Sequence, residues 1–155
     1  MYTQRQSVVF VDADACPVKE EIILIARVKN FQARFVASYD HQPAKLNDGA
    51  DWVFVDPGLD AADMYILNHV RPKDVLVTQD IGLASLVLPK GVYALSPRGI
   101  EYKEESIEMA LDLRYLAAKE REKGRYGKGP KPFSIADREI FKASLLKILS
   151  KIEGD

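Results

Sequence analysis

The run Val8-Val9-Phe10-Val11-Asp12-Ala13-Asp14-Ala15-Cys16-Pro17 joins a nearly unbroken apolar strand to two acids and a proline. A strand without polar alternation is what a parallel sheet covered on both faces requires. Pro17 suits the first position of a helix. Ile22, Ile23, Ala26 and Val28 then supply most of an apolar stripe at helical spacing. The opening unit therefore reads as strand, acidic turn, helix.

Working outward, the same unit recurs. Residues 31–38 predict a second strand, centred on Phe35-Val36-Ala37, and residues 39–50 a loop with His, Pro, Asn, Asp and Gly. Trp52-Val53-Phe54-Val55 predicts a third strand, ended by Asp56-Pro57-Gly58. A helix over 60–70 is expected to bury Met64, Ile66, Leu67 and Val70. Val75-Leu76-Val77-Thr78 predicts a fourth strand, residues 83–88 a short helix, and Val92-Tyr93-Ala94-Leu95 a fifth strand. Strands separated by helical segments of this length imply right-handed crossovers and a mainly parallel sheet. Beyond residue 100 only helix patterns remain. One is marked by Ile107, Ala110, Leu111 and the apolar residues of 113–116; another begins near Ser134 and carries Phe141, Leu145, Ile148, Leu149 and Ile152.

The expected architecture is a single α/β domain over residues 1–155. It has three layers: a central sheet of about five strands, helices on both faces, and extra C-terminal helices. With 155 residues, one core is enough, since a domain typically has about 100–150 residues. A formal net charge of −1 means that attraction to phosphates has to come from a local cluster. One cysteine permits no internal disulfide, which suits a reducing compartment. The first seven residues lead into a strand, not a secretory apolar region, and no run approaches the roughly 20 apolar residues of a membrane span. A cytoplasmic protein without membrane contact is expected.

Ligands of open parallel sheets bind outside the carboxyl ends of the strands. Asp12 and Asp14 end strand one there, Asp56 strand three, and Thr78 with Asp80 strand four; Asp60 and Asp63 open the helix after strand three. So many carboxylates repel one another unless a cation neutralises them or some are protonated. Oxygen-only donors suit Mg²⁺ or Mn²⁺, and such an ion assists phosphodiester hydrolysis. Each acid also has a local reading. Asp60 and Asp63 resemble an N-cap with an N3 acid. Asp14 suits the turn before the helix that Pro17 starts, with its carboxylate shared with that helix. Asp80 fits a helix cap. Asp56-Pro57-Gly58 reads as a plain turn. Asp12 has no cap position available.

Cys16 reads as a buried apolar residue, and neither His41 nor His69 has a Cys or His partner at zinc-ligand spacing. Residues 119–131 hold six Lys or Arg against two Glu, a pattern that is either a solvated linker or a phosphate-attracting segment. Lys128 there, beside Tyr126, and Arg98 after strand five are the candidate phosphate contacts.

The strings Val11-Asp12-Ala13-Asp14-Ala15-Cys16-Pro17, Gly58-Leu59-Asp60-Ala61-Ala62-Asp63, Thr78-Gln79-Asp80-Ile81-Gly82-Leu83-Ala84 and Leu95-Ser96-Pro97-Arg98-Gly99 resemble the YaiI/YqxD family of bacterial proteins. Gly129-Pro130 and Asp137-Arg138 extend the resemblance to nearly the whole chain. The family is similar to PIN-like domains, whose acidic pocket in related nucleases binds Mg²⁺ or Mn²⁺ and cuts RNA. The resemblance implies Asp12, Asp63 and Asp80 as metal-site acids, with Asp14 and Asp60 close by. Three functions follow as expectations. The first is a metal-dependent nuclease or phosphodiesterase acting on RNA, with Asp12, Asp14, Asp63 and Asp80 as catalytic acids and Arg98, Thr78 and Lys128 toward substrate. The second is a phosphatase resembling the haloacid-dehalogenase group, with Asp12 as nucleophile and Thr78 as phosphate-binding hydroxyl. The third is a module without catalysis, either nucleic-acid-binding or receiver-like, with Asp56 as phosphoacceptor.

Overall fold

The computed structural model describes residues 6–39, 49–58, 60–124 and 132–154. One six-stranded sheet runs through it in the order β3-β2-β1-β4-β5-β6. The strands are β1 (Val8–Asp12), β2 (Gln32–Ser38), β3 (Asp51–Val55), β4 (Val75–Val77), β5 (Tyr93–Leu95) and β6 (Glu101–Tyr102). All pairs are parallel except β5 with β6. The two-residue β6 is absent from the sequence reading, because so short an edge strand has no periodicity to detect.

The helices are α1 (Lys19–Lys29), α2 (Ala61–His69), α3 (Ile81–Val87), α4 (Glu104–Glu122) and α5 (Ile135–Glu153). Period-2 alternation divides the strand residues between two cores. Val9 and Val11 of β1, Phe35 of β2 and Val77 of β4 pack with Ile22 and Ala26 of α1 and Phe141, Leu145 and Leu149 of α5. Phe10 of β1, Val36 and Leu76 pack with Ile66 of α2, Leu83 and Val87 of α3 and Ile107 of α4. The expected three-layer α/β architecture is thus present, with the central strand β1 buried on both faces.

Several element boundaries and faces differ from the sequence reading. Pro17 does not start α1: residues Ala13–Ala15 form a 3-10 turn, Cys16 is extended, and the helix begins at Lys19. The residue before a proline is pushed out of the helical region, and that delays the start. Val28 is exposed, and Ile25 takes its expected place in the core. Met64 is also exposed, because α2 turns only Ile66 fully inward. Residues 119–122, expected within a basic linker, continue α4. Tyr126 and Lys128 lie outside the described residues. Phe31, expected in β2, directly precedes it.

Two contacts fix the ends of the sheet. Asp74, fully buried before β4, accepts hydrogen bonds from the Val8 N–H at the start of β1 and from the Arg71 N–H, both at 2.9 Å. This carboxylate clamps β1 to β4 at the amino ends of the strands. At the other end, Gly99 (φ +88°) lets the turn between β5 and β6 approach α5 so closely that a Cβ there would stand 2.9 Å from the Ile140 carbonyl carbon and the Phe141 nitrogen. The Ser144 hydroxyl donates to the Gly99 carbonyl at 2.8 Å and fixes the approach.

Asp74→Ala is expected to destabilise the chain by about 2–3 kcal/mol, because a buried N–H loses its acceptor. Asp74→Asn, which keeps an acceptor, should lose less. Gly99→Ala is expected to cost about 2 kcal/mol or more through positive-φ strain and the backbone clash. Urea unfolding of the three variants checks both; wild-type midpoints would sink these assignments.

Candidate functional site

β1 and β4 are neighbours, while β2 and β3 lie to one side and β5 and β6 to the other. The strand order reverses between β1 and β4, and that is where a crevice opens at the carboxyl ends of a doubly wound sheet. Val11 pairs with Val77, so the next residues, Asp12 and Thr78, come together across the seam. The Thr78 hydroxyl donates to Asp12 Oδ2 at 2.9 Å and accepts from the Asp80 N–H at 3.0 Å. Thr78 itself is buried, and its carbonyl accepts from the Tyr102 hydroxyl at 3.2 Å. One threonine therefore ties the acid of β1 to the chain leaving β4.

Asp80 caps α3, accepting from the Leu83 N–H at 3.2 Å, and Arg114 of α4 approaches the same carboxylate at 3.4 Å. A methyl group at Gly82 would stand tightly against Asp80 Oδ1, at 3.1 Å, and in ordinary contact with Arg114, at 3.5 Å. Asp14 accepts from the Ser38 N–H at 3.1 Å, so its carboxylate is tied to the end of β2 and not to α1 as its place before Pro17 suggested. Asp60 also departs from expectation. It sits at φ +70° before α2 and makes no side-chain cap, so the N-cap reading fails for it while holding for Asp80.

The acids near the seam act on one another through their charges. Burial raises the Asp12 pKa above its ordinary value; the Thr78 hydrogen bond opposes this, and the charges of Asp63, Asp14 and Asp80 add to it. Burial likewise raises that of Asp63, helped by Asp80 and Asp60. Asp12, Asp14, Asp63 and Asp80 thus share one negative field at the seam. Asp56 does not join them, because β3 is separated from β1 by β2, about 10 Å across two strand spacings. Arg98 is held elsewhere, paired with Asp137 at 2.9 Å and lying over the Phe133 ring. Arg114 brings positive charge to the seam instead. Nothing in its local sequence marks it, since it lies mid-helix and its partner Asp80 is 34 residues away.

The donor set fits a hard divalent cation in kind: it is oxygen-only, with one partly buried carboxylate destabilised by its neighbours. Among the described residues, no three His, Cys, Asp or Glu stand close enough to cage a metal ion. That leaves attachment through one or two carboxylates with waters and substrate oxygens completing the shell, the usual manner for Mg²⁺. Cys16 is a core residue, with burial pushing its thiol up to about 11, and takes no part as a nucleophile. His69 stacks on Tyr65, and its Nδ1 lies 2.7 Å from the Tyr65 carbonyl within α2.

The family model described as "Uncharacterized BCR, YaiI/YqxD family" matches residues 10–151. The chain belongs to this family. A UPF0178 protein of Bacillus velezensis is 49% identical over 154 residues, covering 99% of this chain and 92% of that one. A UPF0178 protein of Listeria monocytogenes is 48% identical over 141 residues, covering 91% and 94%. One of Bacillus cytotoxicus is 47% identical over 151 residues, covering 97% and 98%. No solved structure matches the chain. No helix among the described residues is long and apolar enough to cross a membrane.

Asp12 ionises less readily in the folded chain than in the unfolded one. The resulting destabilisation is absent below its ordinary pKa of 3.8, grows as the pH rises past it, and is complete above the folded value. Asp12→Asn keeps an acceptor for Thr78 and removes the charge. In chelator-treated buffer at neutral pH it is expected to melt a few degrees above wild type, with the difference vanishing below pH 3.8. An Asp12→Asn variant no more stable than wild type at neutral pH would show that the carboxylate is not strained.

Proposed function

We propose that this protein hydrolyses phosphodiester bonds in nucleic acid, RNA above all, with Mg²⁺ or Mn²⁺ at the seam between β1 and β4. The observation that supports this reading is at the strand-order reversal, where burial raises the proton affinities of Asp12 and Asp63 and the charge of Asp80 reaches both. Of Asp12, Asp63 and Asp80, one or two would hold the ion directly, with waters completing its shell. When bound, it supplies positive charge for the phosphoryl oxygens and lowers the pKa of a bound water.

The remaining work falls to side chains. A seam carboxylate not bound to the ion would accept a proton from the attacking water, and Thr78 orients Asp12. Asp14, in the turn after β1 and tied to the Ser38 N–H at the end of β2, adds negative field. Arg114, half exposed beside Asp80, can meet a phosphate of the substrate and neutralise it. Thr78 is too deeply buried to touch a phosphate, which weakens the phosphatase reading that needs this hydroxyl on the substrate. The receiver-like reading fails on topology, since Asp56 follows an edge strand two places from β1.

Titration calorimetry should show Mn²⁺ binding to wild type and a clear loss of affinity in Asp12→Asn and Asp80→Asn. With Mn²⁺ and a mixture of single-stranded and structured RNA and DNA, wild type should cut RNA, and both variants should lose about 10²-fold or more of the rate. Arg114→Gln is expected to raise KM several-fold more than it lowers kcat. Cleavage that persists in Asp12→Asn, or metal binding unchanged in both variants, would overturn the proposal.

A further inference from the structure

α4 is long, yet only Ile107 on it is fully buried. Ile107 packs with the core beneath, and Arg114, seven residues on, reaches Asp80 on the same inward side. Met109, Leu113 and Leu116 are 69%, 61% and 58% exposed. Their spacing of four and three places them in one stripe, within an arc of about 60° on the side opposite Ile107. The stripe runs into an apolar cleft of about 390 Å³, lined by Ile81, Ile100, Tyr102, Ile107, Met109 and Leu113.

Charge along α4 says what covers it. The first half carries Glu104, Glu105, Glu108 and Asp112 without a base; the second carries Arg114, Lys119 and Arg121, with Lys123 just past its end, against Glu120 and Glu122. We infer that the stripe pairs with α4 of a second copy of this chain, antiparallel about a two-fold axis between Leu113 and Leu116. In that register Leu113 faces Leu116 of the second copy, and Asp112 faces its Lys119. The two residues thus occupy flanking positions of an antiparallel helix pair. A parallel pair would instead lay the acidic first half of one helix along the acidic first half of the other, and align the helix dipoles unfavourably. A two-fold contact uses the same patch on both copies, so a single stripe is sufficient. Arg114, on the inward flank, stays beside Asp80, and pairing leaves the acidic rim open.

Sedimentation equilibrium of the full chain across concentrations tests this. Wild type is expected to dimerise, and Leu113→Glu/Leu116→Glu to stay monomeric with an unchanged circular dichroism spectrum, since both residues are exposed. Asp112→Lys and Lys119→Asp should each raise the dimer Kd by about tenfold or more. An equimolar mixture of those two should recover wild-type association, because each then meets its opposite charge. A wild-type chain monomeric at about 100 μM overturns the inference and leaves the stripe to another occupant. A dimer that survives the glutamate substitutions places the interface elsewhere and overturns it equally. Mixing without recovery rules out the antiparallel register.

Discussion

The hydrogen bond from the Thr78 hydroxyl to Asp12 crosses the seam on which this structure depends. It is possible only because β4, not β2 alone, lies beside β1, so that the chain order reverses between them. The same hydroxyl accepts from the Asp80 N–H, which sets the start of α3 and aims Asp80 at the seam. A backbone register, Val11 opposite Val77, is thereby converted into a constellation of side chains. Arg114 approaches the Asp80 carboxylate from α4, at 3.4 Å.

Acids at the two ends of the sheet have opposite consequences. Asp74, at the amino ends, satisfies two backbone N–H groups and holds β1 against β4. Asp12, at the carboxyl ends, has its proton affinity raised by burial first, lowered by the Thr78 hydroxyl, and raised further by the charges of Asp63, Asp14 and Asp80. Burial of a carboxylate is stabilising in the first case and costly in the second, because hydrogen-bond donors offset desolvation while like charges add to it. Acids kept in such surroundings are characteristic of sites that bind or react.

What could be read from sequence depended on how local each signal was. The unalternating Val8–Asp12 strand announced a two-faced parallel sheet because its side chains have no solvent side to mark. The start of α5 near Ser134 was legible, and there the structure adds a capping box between Ser134 and Asp137. The apolar faces of α2 and α4 were not legible: Met64, Leu113 and Leu116 look like core residues in sequence and stand in solvent. Hydropathy reports what a side chain could bury, whereas the sheet beneath a helix decides how many of its faces are covered. Arg98 looked available on the rim, but Asp137, 39 residues later, holds it.

By itself, the sequence determined the α/β class, the parallel strands and the placing of acids at strand ends, because periodicity and turn chemistry act within a few residues. It also determined the family, through strings as specific as Asp12-Ala13-Asp14-Ala15-Cys16-Pro17. Only the tertiary structure decided which of those acids meet. Strand order separated Asp56 from Asp12 and joined Asp12 to Thr78, and the packing of α4 on α3 brought Arg114 to Asp80. Order and packing arise from contacts between residues far apart in the chain, and a local pattern carries no record of them.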